Sequence, residues 1–179
     1  MSAEDQPGDA EHRNPKSENR NWIWFFVAVA VLSAAAISIN WAYNARQQLT
    51  MEQLQTNEDL WDKAGPADYD LSVDKTIQSA NADEPFRDRI EVKVRKKRVV
   101  AASLNGLPMQ RRLWDDNDMP GWFGFVERFL KIDEAPGAAP TFRTAQFDPR
   151  TGQLLHFTRS VSTTRERQEL VLQLKPAAN

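Results

Sequence analysis

Residues 22–39 read WIWFFVAVAVLSAAAISI, and from Trp22 onward no charged side chain occurs until Arg46. No other feature constrains the chain as strongly, because an uncharged helix of this length has no polar face to turn toward water. A helix covering residues 22–41 spans roughly 30 Å, the thickness of a bilayer's hydrocarbon core. Trp22 and Trp24 stand at one end of the run, and Trp41 and Tyr43 at the other. Such rings favour the headgroup level. The expectation is a single N-terminal transmembrane helix over residues 22–43, an uncleaved signal-anchor. The rival is a signal peptide cleaved near Ala34 and Ala36, where the small-x-small spacing would admit a peptidase. Ala30, Ala34 and Ser38 share one helix face, a spacing that could bring two spans together as a weak homodimer.

Arg13, Lys16 and Arg20 precede the run, whereas Arg46 alone follows it before Lys63. This bias predicts a cytoplasmic N-terminus and an exported C-terminal domain, placed in the periplasm or cell envelope of an inner-membrane protein. Residues 1–21 are rich in charge, Pro and Gly and poor in aliphatics, a composition that reads as a disordered cytoplasmic tail. The chain has no cysteine. Disulfide staples, thiol catalysis, thiolate metal sites and cysteine lipidation are thereby excluded. A formal net charge of -2 gives no global field that would draw the chain to nucleic acid.

Beyond the run, residues 44–66 predict a juxtamembrane helix stopped by Gly65-Pro66. Residues 67–179 predict the exported domain. Tyr69, Leu71 and Val73 alternate with Asp70, Ser72 and Asp74, which is strand periodicity. Ile90, Val92 and Val94 alternate with Glu91, Lys93 and Arg95, and RVVAASLN after Lys96-Lys97 reads as the partner of a hairpin. Trp122, Phe125, Val126, Phe129 and Leu130 then fall on one helical stripe within residues 119–132. Residues 141–147, 153–160 and 169–174 return to strand patterns, and the turn DPRTG separates the first two. The expected fold is α+β: a transmembrane helix, then an antiparallel sheet packed with two helices, in the order helix, three strands, helix, three strands.

Trp61 ahead of Asp68-Tyr69, a hairpin ending in a valine-rich strand, an aromatic helix and FDPRTG together resemble a family of exported bacterial domains of unknown function. In that resemblance Trp61 closes the leading helix, Tyr69 opens the first strand, and Phe147, Asp148 and Gly152 hold the turn. It covers about residues 46–175. It implies fold and location, and no activity.

The chain carries none of the short motifs of metalloprotease, nucleophile-elbow, P-loop or dinucleotide-binding sites. His12 falls in the tail, and His156 alternates with Leu155 and Phe157 as a strand residue. Asp115, Asp116, Asn117 and Asp118 gather oxygen atoms without the spacing of a calcium loop, so a helix cap is the simpler reading. No cofactor and no metal are expected. Lys96, Lys97 and Arg98 form a basic hairpin tip suited to lipid headgroups or a protein partner. Trp114 and Phe123 fall off the helical stripe and could line a groove or partner surface, against the simpler reading that they pack in the core or under a loop. The function expected is a membrane-anchored interaction or ligand-binding module of the envelope, without catalysis. The alternative is a carboxylate-dependent hydrolase working near Asp148 or Asp116.

Overall fold

The computed structural model describes residues 22–35 and 48–177. Residues 22–35 are helical (α1), and all of them are exposed. The expected span over residues 22–43 is corrected. Among the described residues no helix is long and apolar enough to cross a membrane: the described part of α1 covers residues 22–35, fewer than the roughly 20 residues a crossing needs. Tail residues 1–21 lie outside the described residues, as does the rest of the run. His12, Ala36, Ser38, Trp41 and Tyr43 are among them.

The second compact unit of the chain begins at Gln47. Leu49 N–H donates to Arg143 O at 2.9 Å. Thr50 then starts a helix, α2 (Met51–Ala64). Gln53 N–H donates to Thr50 Oγ1 at 3.2 Å, and Thr50 N–H donates to Gln53 Oε1 at 3.3 Å. This reciprocal pair satisfies two otherwise orphaned amides. The juxtamembrane helix expected from residue 44 therefore starts only at Met51, because Thr50 caps it and Leu49 is engaged elsewhere. Two apolar side chains of α2, Leu54 and Trp61, are buried.

Seven strands follow: β1 (Tyr69–Gln78), β2 (Phe86–Arg95), β3 (Arg98–Leu104), β4 (Leu107–Pro108), β5 (Thr141–Phe147), β6 (Leu154–Val161) and β7 (Glu166–Pro176). They form one sheet in the order β4-β3-β2-β1-β7-β6-β5, and each adjacent pair is antiparallel. Between β4 and β5 lie two 3₁₀ turns, Arg111–Leu113 and Asp115–Asn117, and helix α3 (Met119–Asp133). The expected order of three strands, helix, three strands is corrected to four strands, two short turns, helix, three strands. The extra strand exists because Asn105-Gly106 folds the chain straight back, so that Leu107 and Pro108 pair with Leu104 and Ser103.

One face of the sheet carries the core. Leu71 and Val73 from β1, Ile90, Val92 and Val94 from β2, Phe157 from β6, and Leu170 and Leu172 from β7 are buried against α2 and α3. Asp118 opens α3 by accepting the Gly121 amide at 2.9 Å, an N-cap that satisfies a free helix donor. Trp122, Phe123, Val126 and Leu130 form the buried face of α3. Phe125 and Phe129 sit on its flank, edge to face at 4.9 Å.

The end of α3 is fixed by charge. Asp133, with a side chain only 2% exposed, receives Arg159 Nη2 at 2.6 Å and Nε at 2.9 Å. Arg143 reaches the same carboxylate at 4.0 Å and Glu134 at 2.7 Å. Arg159 also lies 4.7 Å over the Phe129 ring, a cation–π contact. A fork-to-carboxylate pair of this kind fixes orientation as well as energy.

Tyr69 joins three elements. Its ring meets Trp61 edge on at 5.5 Å, and its Oη accepts the Met119 amide at 3.3 Å. Burial pushes the phenol up from 10.0 to about 12. Below pH 10 the phenol is neutral in both the folded and the unfolded chain. Between pH 10 and about 12 the unfolded chain ionises first, so stability falls as pH rises through that window. Urea unfolding at pH 9, 10, 11 and 12 should show Tyr69→Phe about 1 kcal/mol weaker at pH 9, from the lost hydrogen bond. The gap to the parent chain should narrow as pH rises. A gap that stays constant to pH 12 would mean that the phenol is not held neutral.

Candidate functional site

Among the described residues of the unit 47–179, both helices pack on the core face, and none covers the second face of the sheet. Strand alternation points Asp70, Ser72 and Asp74 of β1 outward here, with Glu91 and Lys93 of β2 beside them. The register aligns two rows. Lys175, Asp70, Lys93 and Ala101 stand abreast on β7, β1, β2 and β3; Ser72, Glu91, Ser103 and Pro108 do so on β1 to β4. Ser72, Ala101 and Ser103 are short, and the charged side chains around them are long. The difference in length leaves a groove of about 400 Å³, within the range of small-ligand sites.

The charges in the groove are unequally matched. The Asp70 carboxylate receives Arg95 Nη1 at 2.8 Å, and Glu91 lies 3.5 Å from Arg89 Nε. Among the described residues, no carboxylate within 4.0 Å pairs with Lys93 or Lys175. The floor holds a second anomaly. Ser72 is 9% exposed, and its Oγ is buried without a hydrogen-bond partner among the protein atoms. Leaving such a hydroxyl unpaired costs about 1–3 kcal/mol. Replacing it by a methyl group should therefore help the fold. Ser72→Ala is expected to raise the unfolding free energy by about 1 kcal/mol, read as a higher urea midpoint with an unchanged slope. A lower midpoint would show that the hydroxyl supports the fold.

The residues singled out in the sequence lie elsewhere. Lys96 and Lys97 form the β2–β3 turn, with φ of 51° and 58°. The turn is tied down: Lys96 N–H donates to Asp68 Oδ1 at 2.5 Å, Lys97 N–H to Ala67 O at 2.9 Å, and Lys97 Nζ to Asp62 O at 3.2 Å. Arg98 pairs with Arg95 across the ladder and is exposed. Trp114 is half-buried against the core, and its indole donates to Met109 O at 3.0 Å. The expectation that Phe123 lines a partner surface is corrected. It is fully buried and stacks on Phe147 with centroids 6.1 Å apart.

The carboxylates named for chemistry are structural or exposed. Asp148 Oδ1 accepts the Arg150 amide at 2.8 Å, and Asp148 O accepts the Gly152 amide at 2.8 Å. Asp116 is exposed beside the cap of α3. Burial raises the Asp118 carboxyl above its ordinary range, and its bond from the Gly121 amide opposes that rise. His156 Nε2 lies 2.9 Å from Glu169 Oε1 on the outer face, over β6 and β7. Among the described residues no three His, Cys, Asp or Glu side chains are grouped to hold a metal ion.

Sequence reasoning missed Ser72, Lys93 and Lys175 as members of one site. The alternation of β1 and β2 marks the outward side chains, but only the register sets them side by side.

No family model, curated protein or solved structure matches the chain. The residues that carry the resemblance do share a physical role. Trp61 touches Tyr69, Phe147 stacks on Phe123, and a Cβ at Gly152 would press on Trp61 N at 2.8 Å. They join α2 to the start of β1 and to the β5–β6 turn, and β5 to α3, so packing alone accounts for these residue types.

Proposed function

We propose that the domain of residues 47–179 is a binding module rather than a catalyst, and that the groove across β1, β2 and β3 is its binding surface. The observation that carries this reading is Ser72. A hydroxyl without a protein partner, covered by the Glu91 and Gln173 side chains beside the groove, is a polar group that a ligand would satisfy once one of those side chains swings aside. The hydrolase alternative loses its support, since Asp148 bonds the amide of its own turn and Asp116 stands in solvent. An extracytoplasmic setting in the cell envelope belongs to the same proposal; it rests on the apolar composition of residues 22–39 behind Arg13, Lys16 and Arg20, read as an export signal, and not on a described span. A fluorescent reporter fused behind Asn179 that lights only in the cytosol would remove it.

The binding reading is tested by screening a library of small polar molecules against the full-length chain, with backbone amide NMR shifts as the readout. Hits should move the amides of Ser72, Glu91 and Ser103 together. Ala101→Trp, which fills the groove from an outward position, should silence those shifts and keep the folded spectrum elsewhere. A screen whose hits all map to other surfaces would sink the reading.

A further inference from the structure

We infer that the ligand of this groove is an organic anion with a short apolar body, its charged head held between Lys93 and Lys175. The inference rests on the groove being the binding surface and adds the chemistry of the occupant. The register places Lys175 and Lys93 on the two strands that flank β1, on either side of Asp70. Neighbouring strands lie about 4.8 Å apart, so the two lysine backbones are about 10 Å from each other and their stems can converge on one anion. Asp70 does not neutralise them, because Arg95 occupies its carboxylate at 2.8 Å. This end of the groove therefore carries surplus positive charge.

Ser72 lies one outward position from Asp70 on the same strand. Its hydroxyl is a donor, and an anionic oxygen is the acceptor that forms the stronger bond with it. Ala101 and Pro108 line the far wall with carbon, which suits a few methylenes and not a second charge. Carboxylate and phosphate heads share this chemistry.

The test uses the full-length chain and four probes: hexanoate, hexyl phosphate, hexanol and hexylamine. Hexanoate or hexyl phosphate should move the Ser72, Lys93 and Ala101 amides and saturate, and whichever of the two binds more tightly names the head group. Lys93→Gln/Lys175→Gln, two exposed substitutions, should weaken that binding at least tenfold, and Ser72→Ala should weaken it several-fold while the chain stays folded. Raising salt from 20 to 500 mM should weaken it further, through screening. Hexylamine or hexanol moving the same amides more tightly than either anion would overturn the anionic head and leave the groove as a binding surface. Unchanged anion affinity in the double lysine variant would also overturn it. Silence at these amides from all four probes would overturn the inference and count against the groove as well.

Discussion

Asp133→Ala should destabilise the domain by about 3–5 kcal/mol, the largest loss expected from any single side chain outside the apolar core. The carboxylate is 2% exposed and receives three hydrogen bonds from two nitrogens of Arg159, itself 8% exposed. Removing it leaves a buried guanidinium under the sheet with the Phe129 ring and the like-charged Arg143 beside it, and the cost of that uncompensated charge exceeds the value of the lost bonds. Domains of this size are stable by roughly 5–15 kcal/mol, so the variant should unfold at a much lower urea concentration. Glu134→Ala is the control. Glu134 pairs with Arg143 at 2.7 Å but is 47% exposed, and an exposed pair contributes less than about 1 kcal/mol. A second variant, Asp133→Leu/Arg159→Met, should recover much of the loss, because it buries carbon where it removes charge. Equal midpoints for Asp133→Ala and Glu134→Ala would refute the buried-pair account.

Gly152→Ala is expected to cost about 3 kcal/mol, from two separate causes. The residue sits at φ 74°, in the left-handed region where a Cβ is strained. That Cβ would also collide with Asn57 O, press on Trp61 N at 2.8 Å and touch Leu60 Cβ at 3.0 Å. The neighbours are largely helix backbone, which cannot rotate away. Gly106→Ala separates the two causes. Gly106 has φ 81° and nothing within 4 Å of an added Cβ, so its substitution should cost only about 1 kcal/mol, for backbone strain alone. The difference between the variants, measured by urea unfolding, isolates the close docking of the β5–β6 turn on α2. Equal losses at the two positions would show that the turn has room to move away.

These features differ in how openly the sequence carries them. The alternation of Ile90, Val92 and Val94 with charged residues is enough to write β2, because a strand with one wet face has no other pattern. The periodicity of residues 119–132 is enough to place a helix, but not to choose its buried side. Phe123 and Phe125 point to different sides, and both are apolar. Phe147, from β5, stacks on Phe123 and settles the choice. A serine in an alternating strand reads as solvent-exposed until the strands beside it are known. Ser72 becomes buried only because Glu91 stands opposite it on β2 and Gln173 on β7. The partners of β1 were equally illegible, since strand patterns fix which face is wet and leave neighbour order open. The apolar run at residues 22–39 shows the reverse limit: composition fixes its dislike of water, and α1 is described only over residues 22–35.

Strand β7 lies between β1 and β6, pairing Leu71 with Leu174 on one side and Phe157 with Leu170 on the other. During synthesis it leaves the ribosome after the other six strands. Until then the growing polypeptide holds two unfinished sheets, each presenting a raw margin that could zip onto a stranger's. Assembly is thus postponed to a final stitch that joins distant parts of the chain, a slow kind of closure. A nascent molecule halted before Glu166 should be a client of holding chaperones rather than a smaller version of the domain.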